Sequence, residues 1–74
     1  MACEAAPGVD HCVTLDTDAV RVTVNGVEVP YTAVSAGGGK YKITVAGASV
    51  TCPGPLVIKD AAGKVLQKCE VKPC

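Results

Sequence analysis

Seventy-four residues at zero net charge allow one small domain and exclude a global field that would recruit nucleic acid or an anionic membrane. The chain has no Phe, no Trp and only two Tyr, so its interior has to be built from Val, Leu, Ile and Ala; eight Gly and five Pro cut it into short pieces. β-branched side chains in short, turn-bounded segments favour an all-β domain, and no apolar run approaches the roughly 18 residues of a membrane-spanning helix.

In chain order, residues 1–10 (MACEAAPGVD) have no hydrophobic period and read as a flexible N-terminal arm, tied down only if Cys3 is bonded. The remaining residues, 11–74, form the β-domain. Met1-Ala2-Cys3 lacks the charged and apolar regions of a secretory leader, so the sequence reads as a mature form. Residues 11–15 are a short strand, and Asp16-Thr17-Asp18 a polar turn.

Val20, Val22 and Val24 then alternate with Arg21 and Thr23, and Val27, Val29 and Tyr31 alternate beyond Asn25-Gly26. Asn-Gly supplies the positive φ angles of a type I′ turn, which sets Val24 against Val27, Val22 against Val29 and Val20 against Tyr31. Pro30 lacks an N–H, so its strand lies at an edge or a bend. Residues 31–35 continue or break from that strand, and residues 37–39 are a triple-glycine loop.

Residues 40–45 follow as a strand with Tyr41, Ile43 and Val45 inward and Lys40, Lys42 and Thr44 outward. Pro53-Gly54-Pro55 forces a corner. Residues 56–59 and 64–71 are the last two strands, joined by Asp60-Ala61-Ala62-Gly63. Pairing Lys59 with Lys64 would put Leu56, Ile58, Val65, Cys69 and Val71 on one buried face; a one-residue slip would reverse it. The count is about six strands, which fits a small sandwich or barrel.

Charge is unevenly spread. Residues 1–37 hold five acids against Arg21, net −4, and residues 38–74 hold six Lys against Asp60 and Glu70, net +4. Solvated strand faces of differing sign account for this more simply than a polarised binding face.

Five cysteines in so short a chain read as a disulfide framework and an oxidising compartment. Cys12 and Cys52 bracket most of the strand-forming stretch; a crosslink between them would close a loop of about 40 residues and contribute roughly 4 kcal/mol. Cys3 can reach Cys74 or Cys69, and one thiol is left over, either unpaired near the C-terminus (Cys74 or Cys69) or bonded to another molecule. Paired C-x₂-C ligands are absent, so no metal site and no cofactor are expected. His11 is the only His; it adjoins Cys12, but neighbours on a strand point to opposite faces and cannot form a nucleophile pair. Asp16 and Asp18 cap their turn, the glycine loop lacks the Lys-Ser/Thr and helix of a phosphate loop, and Tyr41 lies opposite its flanking lysines rather than among them as a base-stacking ring. The chain is therefore expected not to be an enzyme and not to bind nucleic acid.

A Cys in the first strand, a second just before the fifth, and a final hairpin of the form Leu56-Val57-Ile58-Lys59 … Gly63-Lys64-Val65-Leu66 resemble the MAX effectors, secreted fungal virulence and avirulence proteins. The likeness covers about residues 11–71. It implies a six-stranded antiparallel sandwich of two three-stranded sheets, with Cys12–Cys52 as the disulfide joining them; Cys3, Cys69 and Cys74 have no counterpart in the likeness, and Cys3–Cys74 is the second bond expected from the residues themselves, with Cys3–Cys69 its alternative. It further implies a monomer that is secreted and translocated into the host cytoplasm, and that binds a host protein such as a small heavy-metal-associated domain by pairing of strand edges. In this chain the strand Val20–Val24, with Arg21 and Thr23 outward, is the candidate edge, and the Lys40/Lys42 face the alternative. The segment Val22-Thr23-Val24-Asn25-Gly26-Val27 with the Asp60 … Gly63 hairpin is also similar to small Ig-like modules of extracellular or phage adhesion proteins, which usually carry seven strands over about 100 residues.

Overall fold

The structure, a computed structural model, describes residues 3–74. Among the described residues eight strands follow in chain order: β1 (Cys3–Ala5), β2 (His11–Leu15), β3 (Val20–Val24), β4 (Val27–Glu28), β5 (Thr32–Gly37), β6 (Lys40–Val45), β7 (Leu56–Asp60) and β8 (Val65–Val71). A single 3₁₀ turn, Gly47–Ser49, follows β6. The strands form two sheets, one in the order β1-β8-β7-β3-β4 and one in the order β2-β6-β5.

The all-β, disulfide-bonded sandwich expected from the sequence is therefore present, with its strands divided five and three instead of three and three. Two segments account for the difference. Cys3–Ala5, expected as part of a flexible arm, is a strand that runs parallel to β8, pairing Cys3 with Cys69 and Ala5 with Val71. It is held there because Ala5 is buried in the core and its carbonyl accepts the Lys72 N–H at 2.9 Å. Met1 and Ala2 of the expected arm lie outside the described residues. The second segment is β5, which leaves β4 at Pro30 and crosses to the other sheet.

Local chemistry explains the individual strands. Asn25 (φ 55°) and Gly26 (φ 81°) take the left-handed angles of the I′ turn, and the expected register of Val24 with Val27 follows. Val20, Val22 and Val24 meet Ile43 and Val45 of the facing sheet, with Leu56 and Ile58, in one aliphatic core. In the last hairpin the register shifts: Ile58 faces Gln67 and Lys59 faces Val65, so Leu66 is an extra residue between them. The bulge turns Val65 out to 49 % exposure, against the expectation that it is buried, while Gln67, opposite Ile58, stays on the face of Cys69 and Val71.

Lettered in chain order with β4 as an inserted C′, the sheets read A-G-F-C-C′ and B-E-D. That is the strand order of an immunoglobulin-type sandwich whose first strand has moved from beside B to beside G.

Candidate functional site

The cysteines pair differently from expectation. Cys3 bonds Cys69, Cys52 bonds Cys74, and Cys12 is a free, exposed thiol. Cys12–Cys52 does not form because alternation along β2 points Cys12 to the outer face, where its Sγ lies 3.6 Å from Thr44 Oγ1. Cys3–Cys74 does not form because β1 sets Cys3 directly across from Cys69. The 52–74 bond instead ties the segment after β8 back to the Pro53-Gly54-Pro55 corner.

Arg21 and Thr23 do not lie on an edge. Their strand, β3, is hydrogen-bonded on both sides, to β7 and to β4, so its backbone is not free to accept another strand. Both side chains project from the outer face, Arg21 directly opposite Lys59. Lys40 and Lys42 also belong to an interior strand, β6; both are exposed, and Lys42 is flanked by Thr14 of β2 and Val34 of β5.

Four of the described strands lie at sheet edges, β1, β4, β2 and β5, and the one left bare on both faces over six residues, which the sequence reading missed, is β5. All six of its residues, Thr-Ala-Val-Ser-Ala-Gly, are exposed, including Ala33 and Ser35, whose partners Ile43 and Tyr41 face inward. The strand overhangs the facing sheet and is covered on neither face. It carries no charge and no proline, the usual means by which edges are blunted, and Val34 is 62 % exposed. Its entry is fixed by Tyr31, whose hydroxyl donates to the Asp18 carbonyl at 2.9 Å and accepts from the Val20 N–H at 3.4 Å. Its exit is fixed by the irregularity between Ser35 and Gly37. The signal was present in the sequence as an uncharged stretch after a proline; what the sequence lacked was a sign of which strands would flank it.

A second cluster sits where the inner face of β2 meets β1 and β8. The Sγ atoms of Cys3 and Cys69 and a ring nitrogen of His11 lie within 4.8 Å of one another. His11 Nε2 is 3.7 Å from Cys69 Sγ and 3.2 Å from Gln67 Oε1. His11 reaches this position because it is opposite Val45, on the inward side of β2 from which Cys12 points away. No protein-family model, curated protein or solved structure matches the chain.

Proposed function

We propose that this chain is a non-catalytic, monomeric binding module of an extracellular, oxidising compartment, and that it recruits a partner polypeptide by adding its strand to β5. The observation that carries this reading is the bare β5 edge: six uncharged residues, exposed on both faces, held in register by β6. Unpaired N–H and C=O groups on such an edge give an incoming strand its backbone hydrogen bonds, and alternate side chains, here Thr32 and Val34 on the outer face, give selectivity. Two disulfides in so small a core support the choice of compartment.

The five-and-three strand order favours the Ig-like adhesion or binding module over the fungal effector among the two resemblances, because the effector likeness rested on a Cys12–Cys52 bond between three-stranded sheets. A secreted effector that binds a host protein is the second reading, and it shares the exposed edge as its mode of action.

The test uses the oxidised protein and a displayed library of extended peptides. In an antiparallel edge strand, neighbouring residues point their N–H groups alternately inward and outward, so of Ala33→Pro and Val34→Pro one removes an outward donor and leaves the β6 ladder intact. The folded variant of the two is expected to lose selected peptides by about tenfold or more, and the β5 amides of the native protein to gain exchange protection on binding. Peptides that bind elsewhere and ignore both prolines would overturn the reading. Saturable binding of an isolated plant heavy-metal-associated domain would favour the effector over the adhesion module.

A further inference from the structure

We propose that Cys3, His11 and Cys69 form a zinc site when their disulfide is reduced, so that a metal clamp and a covalent one hold β1 to β8 in alternation. The inference does not use the β5 edge, and it applies where a dithiol reaches the protein outside the oxidising compartment proposed above. Cys3 and Cys69 are facing partners on adjacent strands, and His11 approaches them from the opposite sheet. Three ligands from three strands thus converge on one half-buried point, where the sequence offered no ligand spacing at all.

The geometry suits tetrahedral zinc. Zn–S and Zn–N bonds of about 2.3 and 2.0–2.1 Å require an S···N separation of about 3.6 Å. His11 Nε2 already stands 3.7 Å from Cys69 Sγ. The two sulfurs need to part only to about 3.8 Å once their bond is broken. Soft thiolates with one imidazole select zinc over magnesium or calcium, and the half-exposed site leaves the fourth position to water.

The chemistry balances. An external dithiol gives up two electrons and two protons, leaves as its own disulfide, and converts the Cys3–Cys69 bond to two thiols. Zinc then displaces one proton from each sulfur. His11 also changes state: as a donor to Gln67 Oε1 its Nε2 carries the proton, whereas as a ligand Nε2 must be bare and the proton must sit on Nδ1. Zinc therefore breaks the His11–Gln67 hydrogen bond, and the tautomer of the single histidine reports on the site.

The test is a zinc titration of the full chain, oxidised and reduced with a non-chelating phosphine, beside His11→Ala and the Cys52→Ala/Cys74→Ala double variant. The oxidised protein is expected to take up none. The reduced protein and the reduced double variant are expected to bind one ion each with a shift of the His11 ring nitrogens, and reduced His11→Ala to bind at least about tenfold more weakly, since even an outer partner of a zinc ligand is worth that much. If the reduced chain is unfolded, zinc is expected to restore its strand spectrum. Equal uptake by His11→Ala, unchanged His11 nitrogens at saturation, or a reduced chain that zinc does not refold would each overturn the proposal.

Discussion

Gly47 shows how tightly single positions are set. A Cβ built there would lie 2.5 Å from the Gly8 carbonyl oxygen and 2.7 Å from its carbon, so the strap of residues 8–10 passes directly over the 3₁₀ turn. The strap is fastened on both sides: Gly8 N–H donates to the Val50 carbonyl at 3.0 Å, and Gly47 N–H donates to Asp10 Oδ1 at 2.7 Å. Gly47→Ala must displace backbone rather than a flexible side chain, and is expected to cost about 1–3 kcal/mol, read as a fall in the denaturant midpoint. The residue scale is also where the sequence was least legible. Nothing in the spacing of the five cysteines says that Cys3 faces Cys69, because that neighbour relation exists only once the first and last strands lie side by side. Gln67 is inward by simple alternation from Cys69, but that His11 of the other sheet stands beside it is a relation only the folded sandwich creates.

Among the elements, legibility follows the strength of local chemistry. The β3–β4 turn was readable because Asn25-Gly26 demands one conformation, and β6 because Tyr41, Ile43 and Val45 alternate cleanly with exposed neighbours. Strand β1 was not readable: its three residues carry no period and are extended only because β8 offers a ladder and the core accepts Ala5. Strand β5 was half readable, since an uncharged stretch does not say whether it will be interior or bare. The dependence of β1 on its neighbours can be measured. Cys3→Ser releases a loop of 66 residues and is expected to cost about 4 kcal/mol, less any relief of native-state strain. Amide exchange should then show Lys72, whose N–H donates to the Ala5 carbonyl, losing protection while the β2-β6-β5 ladder keeps its own.

At the scale of the whole molecule, a core assembled from small aliphatic side chains without a Phe or Trp is thin, and the two disulfides make up for it. The crosslinks also fix what the molecule does under load. Pull on Cys3 and Cys74, and tension takes the shortest covalent route: across the sulfurs to Cys69, then along five peptide units to the end. That route, 4.5 Å across the bond plus five residues, stretches to about 22 Å at most, and the strands beyond β8 lie outside the loaded path. With the bridges opened, the same two handles are joined by 71 residues that can extend to roughly 240 Å. A single molecule held in an optical trap is therefore expected to behave as a nearly inextensible tether until a thiol is added, and then to yield by some 20 nm.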